Sequence, residues 1–132
     1  MIVLDASATV DLVLDTTPYS GLVGTHLLDH AGDLHAPHLL DAEVGQVLRR
    51  HVMRGTLRRS RAELAIELLG ELGIIRYSHL SFLTRALQLR RNLTVYDALY
   101  VALAEALGAP LLTRDAGIAR SAGRLIQVIH VR

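Results

Sequence analysis

Apolar residues along the chain follow two alternating patterns, short continuous runs and longer stretches with helical spacing. The short runs predict strands at residues 2–4, 34–36, 74–77, 110–113 and 125–131. The helical stretches are bounded by proline, glycine or capping residues and cover about 5–14, 18–31, 37–54, 60–72, 81–91, 96–107 and a short segment from 115. Strands separated by helices favour a parallel sheet with crossover connections. The sequence therefore predicts an α/β fold, a three-layer α/β/α sandwich with about five mostly parallel strands.

The composition narrows the class of protein. With 132 residues, of which 51% are hydrophobic and 20% charged, the chain has the size and balance of one folded domain, and we expect a single domain over 1–132. It has no cysteine, and all 14 basic residues are arginine. Thiol catalysis, cysteine zinc sites and lysine-dependent chemistry are therefore excluded. No charge-free stretch is long enough to span a bilayer and no secretory signal is visible, so we expect a cytoplasmic protein without a membrane partner.

Four acidic residues fall where predicted strands end or helices begin: Asp5, Glu43, Asp97 and Asp115. In parallel α/β sheets the working site lies at the C-terminal edge of the strands, so acids from distant parts of the sequence are expected to meet there. Glu43 is the most informative, because helical periodicity puts it between Leu39 and Val47 on the face expected to be buried. A buried glutamate is costly unless it is paired or binds a metal.

Each of these acids also has a purely structural explanation. Asp5 and Asp115 have the position of helix N-caps, and Thr94 and Asp97 have the spacing of a capping box. The side chain of Glu43 could extend to solvent or pair with an arginine. For a single capping acid the two interpretations are about equally good, whereas four acids at one edge favour a functional site.

Clustered carboxylates repel one another, and a hard divalent cation is the natural counter-charge. Bound Mg²⁺ or Mn²⁺ activates water and stabilises a departing oxygen, which suits hydrolysis of phosphodiester bonds. Ser7 and Thr113 lie two residues from Asp5 and Asp115, respectively, where their hydroxyls could bind a carboxylate, a metal-bound water or simply a helix terminus. We therefore expect a metal-dependent hydrolase site with these two hydroxyls in support.

Four segments carry a family resemblance: VLDASA at 3–8, PHLLDAEV at 37–44, YDALYVALA at 96–104 and LLTRD at 111–115. In this order and spacing they resemble a PIN-domain nuclease of the VapC toxin type, and the resemblance covers essentially the whole chain. It implies that Asp5, Glu43, Asp97 and Asp115 are the catalytic, metal-binding acids, accompanied by Ser7 and Thr113. It further implies a Mg²⁺-dependent endoribonuclease acting on RNA, a homodimer, and inhibition by a small VapB-like antitoxin.

Four arginines are candidates for binding RNA phosphates: Arg49, Arg50, Arg54 and Arg114. A solvated helix end explains the first three equally well. With one phenylalanine and no tryptophan, no platform for base stacking is apparent, and the tyrosines are expected to pack in the core.

Two other enzyme classes with acidic pockets do not fit. A phosphoacceptor receiver domain requires a lysine, and an aspartyl-nucleophile phosphatase requires a second aspartate at position 7, where this chain has Ser7. The remaining alternative is a PIN-like module without catalytic activity that serves as a binding or scaffold domain. Sequence alone does not separate this alternative from an active nuclease.

Overall fold

The computed structural model describes residues 1–30 and 32–132 and contains one five-stranded sheet. Its strands run in the order β3-β2-β1-β4-β5, and every neighbouring pair is parallel. The strands are β1 (Ile2–Leu4), β2 (Leu34–Pro37), β3 (Ile75–Tyr77), β4 (Leu111–Thr113) and β5 (Val128–His130). The three central strands are buried, which suits their mostly apolar sequences.

Seven α-helices connect these strands within the described residues, with one short 3-10 helix at Leu80–Phe82. The helices are α1 (Ala6–Val13), α2 (Tyr19–Asp29), α3 (Leu39–Met53), α4 (Arg59–Glu71), α5 (Leu83–Gln88), α6 (Val95–Leu107) and α7 (Ala116–Ala122). Helix α1 packs on α2, α3 and α4, whereas α6 packs on α5 and on the central strands. Right-handed crossovers place these two groups on opposite faces of the sheet. The structure is therefore the three-layer α/β fold that the sequence predicts, with an all-parallel sheet.

The topology explains how the acids come to one edge of the sheet. Asp5 directly follows β1 and caps α1, while Asp115 lies two residues after β4 and caps α7. Helix α3 begins after β2, so Glu43 lies in its first two turns. Helix α6 starts at the same edge before the chain returns to β4, which places Asp97 in its first turn. All four acids thus lie at the C-terminal edge of the parallel strands.

Three predicted boundaries were wrong. Pro37 ends β2, paired with Tyr77, instead of opening the following helix, because a proline is tolerated where a strand ends and its missing N–H is not needed. The helix expected over 81–91 is divided into the 3-10 helix and α5, and turns follow it up to residue 93. The last strand is shorter than 125–131, because Leu125 and Ile126 donate backbone hydrogen bonds to Ala122 at the end of α7.

The middle of helix α6 is buried by its own chain, whereas Val95 and Tyr96 at its start are 39% and 62% exposed, so Tyr96 does not pack in the core as expected. Seven consecutive residues, 98–104, are buried, so most of the apolar surface of this helix is covered without a second chain. Three exposed leucines lie next to it, on the 3-10 helix and α5: Leu80, Leu83 and Leu87 are 81%, 40% and 58% exposed. Within the described ranges, none of the helices has the length and apolarity needed to cross a bilayer.

Candidate metal centre

Asp5 is the most deeply buried of the four acids and lies at the junction of β1 and α1. Its Oδ1 accepts hydrogen bonds from the Ala8 backbone N–H at 3.0 Å and from the Ser7 hydroxyl at 2.7 Å. Its Oδ2 accepts a hydrogen bond from the hydroxyl of Thr113. Asp5 is therefore an N-cap, as its position suggested, and its carboxylate is also fixed by three uncharged donors.

Burial is the largest influence on the pKa of Asp5. Loss of solvent raises the pKa of its carboxyl from 3.8 to about 6, with a smaller contribution from the charge of Asp115, although hydrogen bonds from Thr113, Ala8 and Ser7 act in the opposite direction. Without a cation, ionisation of Asp5 is thus less favourable in the folded protein than in water. A bound cation would reverse this cost.

Ser7 and Thr113 connect the loop after β1 with the loop after β4. The Ser7 hydroxyl accepts a hydrogen bond from the Arg114 backbone N–H at 3.0 Å, and the Thr113 hydroxyl accepts one from the Asp115 backbone N–H at 2.9 Å. Each hydroxyl also donates a hydrogen bond to the carboxylate of Asp5. The loop after β4 is in this way fixed relative to the loop after β1, and both hydroxyl protons serve the carboxylate of Asp5.

Asp115 caps α7 through one carboxylate oxygen, Oδ1, which accepts a hydrogen bond from the Ile118 backbone N–H at 3.0 Å. The residue is exposed, and its charge raises the pKa of both Asp5 and Asp97. Asp115 therefore both caps α7 and acts electrostatically on the other acids of the site.

Asp97 does not make the cap of its own helix. The Thr94 hydroxyl caps α6 by accepting a hydrogen bond from the Asp97 backbone N–H at 3.1 Å. The Asp97 carboxyl is half-buried, and its pKa is raised first by desolvation and then by the charges of Asp115 and Glu43. The helix start is thus satisfied by Thr94, and the carboxyl of Asp97 lies within electrostatic range of Asp115 and Glu43.

Glu43 is neither extended freely into solvent nor paired with an arginine. Its Oε1 accepts a hydrogen bond from the Tyr100 hydroxyl at 2.6 Å, across 57 residues of sequence. Burial, followed by the hydrogen bond and charge of Glu43, raises the pKa of Tyr100, so this hydroxyl remains a donor. Tyr100 was predicted only to pack in the core. The available signal was its position three residues after Asp97, on the same face of α6.

The residues present fit a hard divalent cation. The donors are carboxylate oxygens, which Mg²⁺ and Mn²⁺ prefer, and none of the ion pairs in the described part of the chain involves the four acids. Within residues 1–30 and 32–132, no three acidic or histidine side chains form a ready-made metal cage. That arrangement is compatible with Mg²⁺, which keeps several waters and uses only one or two protein carboxylates at a time.

The candidate RNA-binding arginines differ in their surroundings. Arg114 pairs with the buried Asp11 on α1, with Nη1 donating to Oδ2 at 2.8 Å, and its guanidinium lies 3.3 Å from the centre of the Tyr19 ring. Arg49 and Arg50 are exposed on the second half of α3, as is Arg54 at its end. At a rise of about 1.5 Å per residue, Arg50 lies about 10 Å along the helix from Glu43.

Curated proteins resemble this chain over nearly its whole length. Ribonuclease VapC1 of Mycobacterium tuberculosis is 44% identical over 131 residues, covering 98% of this chain and 97% of the relative. Ribonuclease VapC12 of the same organism is 40% identical over 128 residues, covering 97% of each chain.

Solved structures show the same fold. The crystal structure of PAE2754 from Pyrobaculum aerophilum matches with a TM-score of 0.71 at 24% identity, covering 96% of this chain and 89% of that one. FitAcB from Neisseria gonorrhoeae matches with a TM-score of 0.67 at 18% identity, covering 98% and 97%. The sequence model of the PIN domain matches residues 2–124. Together with the fold and the acidic edge, these similarities show that the chain belongs to the PIN-domain family, among the nucleases of the VapC type.

Proposed function

We propose that the protein is a Mg²⁺-dependent endoribonuclease, the toxin of a type II toxin–antitoxin pair, which hydrolyses RNA phosphodiester bonds. The main support for a metal site is the effect that its acids have on one another's pKa. The charges of Asp115 and Glu43 raise the pKa of Asp97, Asp115 also raises that of Asp5, and no basic side chain among the described ion pairs offsets them. This arrangement is costly in the empty site and favourable once a cation is bound.

Asp5, Glu43, Asp97 and Asp115 would hold one or two Mg²⁺ ions, and Mn²⁺ fits the same donors. The bound cation supplies an activated water and stabilises charge on the departing oxygen. Within the chain, Ser7 and Thr113 hold the Asp5 carboxylate in place. Because the nucleophile would be water and the 3′-oxygen would depart, the products should carry a 5′-phosphate and a 3′-hydroxyl.

RNA is proposed as the substrate because the relatives that match nearly the whole chain are named ribonucleases. The exposed arginines of α3, Arg49, Arg50 and Arg54, are available to bind RNA phosphates beyond the cleavage site.

The VapC names of the relatives also support a partner, a VapB-like antitoxin that inhibits the enzyme. We further propose a homodimer, with the exposed leucines of the 3-10 helix and α5 as the surface that the second copy covers. A cytoplasmic location stays a prediction.

Cleavage of structured and single-stranded RNA with Mg²⁺, with Mn²⁺ and with EDTA tests the proposed activity. We expect cleavage with either metal, no cleavage in EDTA, and 5′-phosphate ends. Cleavage that persists in EDTA, or 2′,3′-cyclic phosphate ends, would contradict the mechanism. Metal binding without turnover of any RNA would favour the inactive binding module instead.

A further inference from the structure

Tyr100 occupies an unusual place for a core residue. Its side chain is only 1% exposed, within the buried segment of α6, yet its hydroxyl reaches Oε1 of Glu43 on α3 at 2.6 Å. Tyr100 lies one helical turn after Asp97, so α6 presents a carboxyl and a hydrogen-bond donor to the same site.

We propose that Tyr100 is a positioning residue for the metal site, which fixes the carboxylate of Glu43 so that Oε2 remains available to a cation. This inference rests on the proposed metal-dependent function. Glutamate has a long side chain with several rotatable bonds, and holding it in one orientation costs conformational entropy. The Tyr100 hydroxyl contributes that restraint before a cation arrives, as partners of metal ligands commonly do.

The chemistry of the donor supports this role. An arginine or lysine in place of Tyr100 would also hold Glu43, but its positive charge would neutralise the carboxylate and oppose binding of a cation. A phenol donates a hydrogen bond and leaves the negative charge in place. Asp5 is held in the same way, by two hydroxyls and one backbone N–H. Both carboxylates are thus oriented without loss of charge.

The test compares two variants that each lose one tyrosine hydroxyl and its hydrogen bond. In Tyr100→Phe the lost bond is to Glu43, and in the matched control Tyr77→Phe it is to Nδ1 of His35 at 2.8 Å, which is not one of the acids. Mn²⁺ affinity is measured by calorimetry, and folding by thermal melts in EDTA. Removing a partner of a metal ligand typically weakens binding about 10- to 100-fold. We expect a loss of this size in Tyr100→Phe and wild-type affinity in Tyr77→Phe.

A double-mutant comparison connects the effect to Glu43. In a Glu43→Gln background, Tyr100→Phe should cause no further loss of Mn²⁺ affinity, because the carboxylate that it positions is already gone. A purely structural Tyr100 would lower the melting temperature but leave Mn²⁺ affinity unchanged. That result, or equal Mn²⁺ affinities in Tyr100→Phe and Tyr77→Phe, would overturn the inference.

A measurement on the unmodified chain covers the case in which Tyr100→Phe does not fold. The four tyrosines are labelled with ¹³C at the ring carbon that bears the hydroxyl, and Phe variants of the other three assign the Tyr100 signal. Addition of Mg²⁺ should shift this signal, and a signal unchanged at saturation would overturn the inference.

Failure of the proposed function would give a different result from failure of the role of Tyr100 alone. If wild type binds no Mn²⁺, both the proposed function and the role of Tyr100 are wrong. If wild type binds Mn²⁺ and Glu43→Gln weakens binding while Tyr100→Phe does not, only the role of Tyr100 is wrong.

Discussion

The Thr113 hydroxyl at the end of β4 donates a hydrogen bond to Oδ2 of Asp5 at the end of β1, across 108 residues of sequence. Thr113 is completely buried, so its side chain is held against the carboxylate by the surrounding core. This hydrogen bond lowers the pKa of Asp5 and partly offsets the effect of burial.

Replacing Thr113 by valine should therefore raise the pKa of Asp5 further, because the shape is kept and the donor is lost. The pH midpoint of Mn²⁺ binding is expected to move upward, since the cation competes with a more tightly held proton. Thr113→Ser is the matched control, which keeps the hydroxyl and loses one methyl group, at a cost of about 1 kcal/mol in stability. Identical midpoints in the two variants would show that the hydroxyl does not support Asp5.

The raised pKa of Asp5 predicts how stability depends on pH in EDTA. Between 3.8 and about 6 the unfolded chain has released the Asp5 proton and the folded chain keeps it. This difference in pKa stabilises the folded protein at low pH, where the contribution is fully present below pH 3.8 and is lost as pH rises through about 6. The change amounts to about 3 kcal/mol at 1.36 kcal/mol per pKa unit. Asp5→Asn should lack this loss.

Urea unfolding in EDTA at several pH values between 3.5 and 7.5, chosen to bracket about 6, measures the difference. The stability of wild type relative to Asp5→Asn should fall across this range, whereas the exposed Asp29→Asn should follow wild type. Parallel curves for wild type and Asp5→Asn would contradict a buried carboxyl with a raised pKa.

The pair between Asp11 and Arg114 predicts a mainly structural role for this arginine. Arg114→Gln leaves the buried carboxylate of Asp11 without its charged partner, and a cost of about 1–3 kcal/mol is expected from an unsatisfied buried group. The exposed Arg120→Gln should have little effect. If Arg114 instead binds RNA, as the sequence suggested, Arg114→Gln should weaken RNA binding in EDTA without lowering the unfolding free energy.

The exposed leucines of the 3-10 helix and α5 predict the state of assembly. Light scattering at micromolar concentration should give twice the chain mass of 14.4 kDa. Leu87→Glu, which introduces a charge at a position 58% exposed, should give the monomer mass without loss of fold. A monomeric wild type would exclude the dimer, and a dimeric Leu87→Glu would place its interface elsewhere.

The fold and the edge that carries the acids were predictable because their signals are local. Apolar runs define the strands, and in a parallel sheet the residue after a strand must lie at the C-terminal edge. The placement of Asp5 after β1 and of Asp97 at the start of α6 follows from these rules alone.

The contacts between elements were not predictable in this way. The hydrogen bond from Tyr100 to Glu43 and the ion pair of Arg114 with Asp11 join residues 57 and 103 positions apart. Their formation depends on how helices rotate and pack on the sheet, which periodicity leaves undetermined. Even the end of β2 was misplaced, because Pro37 suits a strand end as well as a helix start.

Titration of Mn²⁺ into wild type and Asp97→Asn, followed by electron paramagnetic resonance, tests the metal site most directly. Asp29→Asn, an exposed aspartate on α2, is the control for loss of one negative charge. Wild type and Asp29→Asn should bind Mn²⁺ with the same affinity, and Asp97→Asn should bind at least about tenfold more weakly while it remains folded in EDTA. Equal affinity in Asp97→Asn and wild type, or no binding by wild type, would contradict the account.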